Sequence, residues 1–546
     1  VNGSPGRVLS DPVAVVGNGC VGQTAALLLA RWGLPVVLLD RRPRRDLVGS
    51  RSICQHRDVL DVWAAVGGGR IAEEGVTWTT ARTYFRDREL FSLTLRDRGR
   101  SPFPPFVNIS QSRTEQLLDE RIAAQPLIRV RWASEVVGID QDEAGVTLTC
   151  ATPGGEETVR ASYALACAGA RGDAVRRMLG VRFDGHAFGD QFLICDIRAS
   201  LPGWERERRF YFDPAWNPGR QVLIHPCPGS TYRIDWQVPP GYDLDAEERT
   251  GALDGRVRKI VGDTPYQVLW RSVYRFQSRC ADRLRAGRVL LAGDCAHQYA
   301  PFGARGLNSG VQDAENAAWK LAFVLRGWAP ERLLDSYHHE RHAAALENLG
   351  VTGATMRFLV PQTRAEREHR RRTLERAVHD RAARALVDSG RLAEPFWYAD
   401  SPLTTPDPTR PFPGRPPKGE APPVVPGVLV PDAPARVPDR PRVRRLREVV
   451  RDGLLALTTE GVDPGAVAVA MKEATAAPSR ALRLAGVDAE GVLAAALAPR
   501  PREAWIVRPD GHLAAVVADP HPPAVAAATR RAVGYGASGG SSPNCS

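Results

Sequence analysis

The segment Gly17-Asn18-Gly19-Cys20-Val21-Gly22 constrains this chain more than any other feature. It follows an apolar run, Val13 to Val16, and opens a helical pattern from Val21 to Trp32. A second apolar run, Val36 to Leu39, then leads to Asp40. Strand, glycine turn, helix and strand in this order make a βαβ unit. Gly17 makes the tight turn, Gly19 lets backbone approach a pyrophosphate, and Gly22 permits close helix–strand packing. The helix start, with Cys20 in its first turn, offers free N–H groups and a positive dipole end to phosphates. Asp40, with Arg41 beside it, is placed to accept hydrogen bonds from an adenosine ribose. The motif points to a dinucleotide and does not separate NAD from FAD.

A second segment makes that separation. Arg288 to Asp294 reads as a strand ending in Gly293-Asp294, followed by Cys295-Ala296-His297-Gln298-Tyr299-Ala300-Pro301 and Phe302-Gly303-Ala304-Arg305-Gly306-Leu307-Asn308. A carboxylate at a strand end suits a ribityl hydroxyl. The glycine loop aims the next helix, about Leu307 to Arg326, at whatever lies beyond it. If that is an isoalloxazine ring, the dipole stabilises negative charge at its N1–C2=O edge. Val311, Ala314, Ala318, Leu321 and Leu325 share one face of this helix and read as core.

The 546 residues exceed one compact core, so several domains are expected. The class is α/β: a discontinuous Rossmann-like FAD-binding domain over 1–184 and 277–400, with a mostly antiparallel β-sheet substrate domain inserted at 185–276. The inserted strands are Arg209 to Phe212, Gln221 to His225, Tyr232 to Gln237 and Gln267 to Phe276. Residues 402–441 hold 14 of the 44 prolines and cannot carry a helix or central strand, so 401–442 is a linker or wrapping segment. A small βαββα domain follows over 443–535, and 536–546 is a low-complexity, disordered tail.

Composition removes other classes. With 43% hydrophobic and 25% charged residues the chain has an ordinary soluble balance, and its most apolar stretch is broken by Arg31. No membrane partner is expected. The net charge of +11 is spread along the chain rather than gathered on one segment, which argues against nucleic acid. The nine scattered cysteines have no CxxC or metal spacing and read as free thiols in a cytoplasmic protein. No secretory h-region is seen before the nucleotide fold.

Taken together, the Gly17 fingerprint, Gly49-Ser50-Arg51-Ser52-Ile53-Cys54, Gln111 before a helix, Gly293-Asp294 and Gly306-Leu307-Asn308-Ser309-Gly310-Val311-Gln312-Asp313-Ala314 resemble the group A FAD-dependent aromatic hydroxylases. These are flavoprotein monooxygenases of the p-hydroxybenzoate, phenol and 3-(3-hydroxyphenyl)propionate hydroxylase type. The resemblance covers about residues 12–355, and the tail resembles the thioredoxin-like C-terminal domain of the phenol hydroxylase branch. It implies that Gly17, Gly19, Gly22 and Asp40 hold the ADP half of FAD. Arg51 and Gln111 would contact the phosphate and ribityl region, Asp294 the ribityl and pyrophosphate, and Gly306, Leu307 and Asn308 the ring edge. Pro301 would line the reactive face. One departure is Cys167-Ala168-Gly169-Ala170-Arg171-Gly172-Asp173, where the family has Cys-Asp-Gly-Ala-Arg-Ser; either Asp173 stands in or nicotinamide engagement is weakened.

The implied chemistry is reduction of FAD by NADPH or NADH, a C4a-hydroperoxide formed with O₂, and oxygen transfer to a phenolic or polyketide-like aromatic. A Baeyer–Villiger outcome and a non-oxygenating flavoprotein remain alternatives, and a homodimer is possible on this reading. A base for the substrate hydroxyl is expected among His225, Asp235 and His297. Tyr211, Phe212, Trp216 and Trp236 are candidates for an aromatic wall, and Arg233 for a polar substrate contact. Strand alternation places Arg233, Asp235 and Gln237 on one face and Tyr232, Ile234 and Trp236 on the other, and leaves open which face is inward. The C-terminal domain has no cysteine between Cys295 and Cys545, so it cannot perform dithiol exchange.

Overall fold

The computed structural model describes residues 11–49, 52–94, 101–417 and 420–536. Arg51, Cys545 and residues 537–546 of the expected tail lie outside them. The βαβ reading holds at its start: strand Val13–Val16, helix Cys20–Arg31 and strand Val36–Leu39 are all present. Val13–Val16 pairs in parallel with both Val36–Leu39 and Tyr163–Ala166. Ile128–Arg131 extends this sheet on one side and Val289–Leu291 on the other. The strands are buried on both faces, which is why they read as unbroken Val/Leu runs. Helices Cys20–Arg31 and Arg305–Leu325 pack on it, with Val311, Ala314, Ala318 and Leu321 in the core as the helical period requires.

The second sheet has eight strands, in the order His297–Gln298, Tyr266–Ala281, Phe183–Ala199, Thr231–Val238, Gln221–Cys227, Glu207–Phe212, Thr80–Phe85 and Arg88–Thr94. The four inserted strands read from the sequence all lie in it. It also recruits Thr80–Phe85, which pairs in parallel with Glu207–Phe212, and Arg88–Thr94 beyond it. The sheet is therefore wider than residues 185–276. Two helices interrupt the strands, Leu244–Thr250 and Ala252–Val261.

That second helix orients the sheet. Its Leu253, Val257 and Val261 pack with Leu193, Cys195, Ile197, Val222, Ile224, Tyr232, Ile234 and Trp236. The opposite face carries Phe192, Phe210, Phe212, Leu223 and Phe276, which pack with Phe302 and Phe358 of the first domain. Because successive side chains alternate, Arg233, Asp235 and Gln237 share the inward face.

Among the described residues between 401 and 442 there is no helix or extended strand. The segment wraps instead: Val430, Ala433, Ala435 and Val437 are buried with Leu446, Val449 and Leu455. The last domain is a four-stranded sheet in the order Ser479–Arg483, Leu454–Thr458, Glu503–Val507, Leu513–Ala518. Leu454, Ala456, Val467, Met471 and Ile506 of this domain bury against Trp319 and Phe323 of the Arg305–Leu325 helix. Ion pairs reinforce the contact, with Glu340 held by Lys320 at 2.7 Å and by Arg508 at 2.5 Å, all fully buried.

Candidate active site

The fingerprint glycines separate cleanly. Gly17 lies at φ +111°, and a Cβ there would stand 2.2 Å from the Cys167 carbonyl oxygen. A Cβ on Gly22 would stand 1.8 Å from the Gly17 carbonyl oxygen. Both glycines are needed by the protein itself. At Gly19 a Cβ would meet only Glu115 Oε1, at 3.7 Å, so the space above it is kept open for something other than this chain. The cradle fits a pyrophosphate lying against bare backbone.

Around it is a charge cluster that the sequence reading did not find. Arg45 donates to both oxygens of Asp119 (2.7 and 2.8 Å), to Glu115 Oε2 at 2.8 Å and to the Asn18 side-chain oxygen at 2.8 Å. Gln111 donates to Glu115 Oε1 at 2.9 Å. Burial lowers the Arg45 pKa, but Asp119 and Glu115 outweigh it and the net direction is upward. The signal available was a polar stripe: Gln111, Glu115 and Asp119 are four residues apart on the Gln111–Ala123 helix.

Asp40 accepts from the Asn18 N–H at 2.8 Å and from the Arg42 N–H, Nε and Nη2 at 2.8, 3.0 and 3.0 Å. Burial raises its pKa, while Arg42 and the two backbone donors bring the net below the usual carboxylate value. Those four bonds fill its lone-pair sites, so a ribose hydroxyl would replace an Arg42 contact. Arg41, the expected neighbour, is exposed; Arg42 takes its place. Cys20 is 2% exposed with its thiol toward Glu115, so it offers a ligand only its backbone.

At the flavin end, Gly293–Cys295 forms a tight turn and the Arg305–Leu325 helix begins at Ala304 with no side-chain cap. Its first-turn N–H groups lack intrahelical partners, the arrangement that suits an anionic ring edge. A Cβ on Gly306 would lie 3.9 Å from Asp294 Oδ1, so the helix start and the strand-end carboxylate converge. Pro301 is exposed beside them, and Leu307 packs partly against the first-domain core.

Two of the expected residues have side chains engaged by the protein itself. The Asn308 side chain accepts from the His56 N–H at 2.8 Å and donates to the Cys54 and Ala304 carbonyls, so only its backbone is offered to a ring. His297 is completely buried, 2.7 Å from Asp313 Oδ2 and stacked on Tyr299. Asp313 also accepts from the Gly293 N–H at 2.9 Å and from Arg341 Nε at 2.7 Å. Burial raises the Asp313 pKa, and His297 and Arg341 pull it down to about 2. His297 and the Gly293–Cys295 turn are thus tied together through Asp313, with His297 Nδ1 enclosed and unpartnered.

The inward face of the second sheet carries the remaining candidates. Register pairs His225 with Arg233, and Arg233 with Asp196. Arg233 donates to both oxygens of Asp196 at 2.8 Å. Asp235 lies two residues further on, flanked by Leu223 and Ile194. Burial lifts Asp235 to about 7, against the lowering effect of Arg233, and its Oδ1 is enclosed without a hydrogen bond. Burial, with Arg208 and Arg233, holds His225 well below the usual imidazole value, and its Nδ1 is likewise unpartnered. A carboxyl near neutrality beside apolar side chains is suited to proton transfer.

Tyr211 and Trp236 are corrected as substrate contacts. Trp236 is fully buried on the outward face against the Ala252–Val261 helix. Tyr211 stacks on Tyr84 at 4.6 Å and leans on Trp216, also on the outward side. Phe212 is inward but packs on Phe358.

A family model described as the FAD binding domain matches residues 11–351. The chain belongs to this FAD-binding family. Its cofactor is FAD. A flavin-dependent monooxygenase of Mycobacteroides abscessus is 33% identical over 357 residues, 62% of this chain and 73% of that protein. The rifampicin monooxygenase of Streptomyces venezuelae is 34% identical over 358 residues, 64% of this chain and 71% of that protein. A 3-(3-hydroxy-phenyl)propionate/3-hydroxycinnamic acid hydroxylase of Paraburkholderia xenovorans is 31% identical, with 66% of this chain aligned to 57% of that protein. In shape, the crystal structure of the flavin-dependent monooxygenase PieE with FAD and substrate matches with a TM-score of 0.82 at 24% identity, covering 95% of this chain and 99% of that one. At that identity the match establishes the FAD monooxygenase fold with its mixed α/β sheets. Among the described residues no helix is long and apolar enough to cross a membrane, and no group of His, Cys, Asp or Glu has the geometry of a metal site.

Proposed function

We propose that this protein is an FAD-dependent monooxygenase that uses NAD(P)H and O₂ to hydroxylate a phenolic or polyketide-like aromatic. FAD, when bound and reduced by NAD(P)H, would activate O₂, one atom of which passes to the substrate while the other leaves as water. The chain supplies binding, orientation, exclusion of water and a proton acceptor. The observation that carries the reading is Asp235: a carboxyl raised to about 7, with an unpartnered oxygen, on the sheet face that meets Phe302 beside Pro301. Once ionised, Asp235 takes the proton of a substrate hydroxyl and makes the ring more electron-rich where oxygen is delivered. The apolar Phe192, Phe210 and Phe276 around Phe302 keep water from this face.

Ala168 bears on the reductive half. The Asp173 carboxylate is 68% exposed and paired with Arg176, whose other amino group holds the Cys295 carbonyl oxygen at 2.9 Å. Asp173 thus braces the turn and does not replace a carboxylate at 168. Reduction by NAD(P)H is expected to be slow, and Ala168→Asp to quicken it. The C-terminal sheet, read as a thioredoxin-like domain without a dithiol, acts as a brace for the flavin helix through Glu340, Lys320 and Arg508.

Anaerobic stopped-flow reduction with NADPH and NADH, with and without phenols and polycyclic aromatics, tests the reading. Bleaching accelerated by an aromatic supports it. Flavin that stays oxidised under every combination turns the assignment to a non-oxygenating flavoprotein. NMR of the product separates ring hydroxylation from Baeyer–Villiger insertion.

A further inference from the structure

Behind the start of the Arg305–Leu325 helix lies a cavity of about 70 Å³. Arg305, Asn308, Ser309 and Gln312 line it from the helix, His56 and Arg57 from the opposite wall, and Ala393 to Pro395 close it. This is not the helix face that meets the Gly293-Asp294 turn. Added Cβ atoms on Gly306 and Gly310 would lie 3.9 Å from Asp294 Oδ1 and 3.1 Å from Gly293 Cα. With about 100° between successive helical residues, Arg305 and Gln312 are turned roughly 100–160° away from those two glycines.

Two side chains that line this cavity carry polar atoms left without a partner. Arg305 is 1% exposed; it donates through Nη1 to Asn348 Oδ1 at 2.5 Å and through Nη2 to the Arg391 and Leu392 carbonyls at 3.3 Å, but its Nε is enclosed and unpartnered. His56 is 8% exposed, and its Nε2 is enclosed and unpartnered as well. Burial holds that ring neutral, with a pKa of about 4, and a neutral ring still donates when its proton sits on Nε2. Arg305 forms no ion pair with any described carboxylate. Burial, with Arg415 adding to it, pulls the Arg305 pKa down to about 10 against Glu394 and Glu347, so the guanidinium stays charged at neutral pH. The carboxylates that line the cavity are already engaged: Asp58 by Arg447 at 3.0 Å, and Glu394 by Arg391 at 2.7 Å and Arg415 at 2.8 Å. An enclosed cation without a counter-charge is costly to keep, and a bound anion removes that cost.

We propose that this cavity binds a small monovalent anion of halide size, held by the side chains of Arg305 and His56. A spherical anion accepts from Arg305 Nε–H and His56 Nε2–H together, and the cavity has room for it with a few waters. Arg305 balances a single negative charge. The same walls support the loop that leads into the helix: the Ala393 N–H donates to the Gly303 carbonyl at 2.8 Å, and Arg305 itself holds the Arg391 and Leu392 carbonyls. The anion therefore fixes the loop from Pro301 to Ala304 from behind and makes the stability of the folded protein depend on halide. The inference is independent of the hydroxylase reading.

Its test uses bromide on the FAD-loaded, full-length protein, in the crystal and in solution. Crystals grown without halide and soaked in sodium bromide should show an anomalous diffraction peak in the cavity, in contact with Arg305 and His56. In solution, thermal midpoints are compared in sodium bromide and in the bulky sodium gluconate at one ionic strength, for the native protein and for Gln312→Glu. That substitution keeps the side-chain volume and puts a carboxylate where the anion would sit. The change from gluconate to bromide should raise the native midpoint by about 2 °C relative to that of Gln312→Glu. Arg305→Met should lose the same increment, and if it does not fold, Gln312→Glu still decides. Water alone in the cavity of the soaked crystal overturns the proposal. So does a midpoint that responds equally in the native protein and Gln312→Glu, since the halide then acts elsewhere on the chain. An anomalous peak without any difference in solution is binding at crystal concentration only, and overturns it too.

Discussion

The two halves of the site treat buried charge in opposite ways. On the nucleotide side the charges are closed against one another: Asp40 by Arg42, Arg45 by Glu115 and Asp119, Asp313 by His297 and Arg341. On the inward face of the second sheet, His225 Nδ1 and Asp235 Oδ1 are enclosed without a hydrogen-bond partner. A cofactor that is always the same can be met by a frame whose charges are already paired. On the proposed reading, a substrate group completes what His225 and Asp235 leave open.

The largest effect should come from breaking the closed side. Arg341→Met leaves Asp313 with only His297 and the Gly293 N–H as partners in a fully buried setting, and the cost expected in urea denaturation is about 3–5 kcal/mol. A cost below about 1 kcal/mol would mean that the network is not what holds the flavin turn.

On the open side, Asp235→Asn removes a proton acceptor and almost no volume. A kcat loss of roughly 100-fold is expected, with FAD affinity unchanged. The pH dependence carries the sign. If Asp235 acts as its carboxylate, as proposed, native kcat/KM should rise with pH through about 7, and the variant should lose that limb. Stability runs the other way. The folded-state pKa is raised above the ordinary carboxylate value, so ionising Asp235 costs the native protein stability as pH climbs from about 4 to about 7. Asp235→Asn should therefore be the more stable protein above pH 7, and the difference should vanish near pH 4 in thermal melts.

The same contrast explains what was legible in the sequence. The glycine fingerprint and the Gly293-Asp294 turn were readable because they answer local backbone demands, and sequence spacing records those directly. The strands of the second sheet were readable from alternation, but their inward face was not. Tyr232, Ile234 and Trp236 are buried, and so are Arg233 and Gln237, so both faces look like interior. The deciding contact is with the Ala252–Val261 helix, whose Leu253, Val257 and Val261 recur at i, i+4 and i+8 inside a stretch read as strands. Reading that period would have turned the sheet and removed Trp236 from the site. Thr80–Phe85 was missed for a different reason: its parallel partner, Glu207–Phe212, lies more than a hundred residues away, and nothing local announces it.

Within the fingerprint, two glycines sharpen the line between what the chain needs and what the cofactor needs. Gly19→Ala places a methyl where the protein offers only Glu115 at 3.7 Å, so the FAD-free protein should keep its stability within about 0.5 kcal/mol. The FAD dissociation constant should rise about ten-fold, since an added Cβ takes space that close backbone approach to the pyrophosphate requires. Gly22→Ala drives a methyl into the Gly17 carbonyl and should lower stability by roughly 1–3 kcal/mol before any cofactor is added. Equal behaviour of the two variants would erase the distinction.

The smallest effect is expected at Tyr211, and a null result there is informative. Its ring stacks on Tyr84 at 4.6 Å and touches Trp216 on the outward side, so the sheet itself separates it from Asp235. Burial raises its pKa, so the hydroxyl stays neutral and carries no charge that could reach a substrate. Tyr211→Phe should then change neither kcat nor substrate affinity by as much as two-fold, measured in the same assay that reports the Asp235→Asn loss. A larger change would place Tyr211 in the site, require the sheet to present its other face to the flavin, and undo the assignment of Asp235.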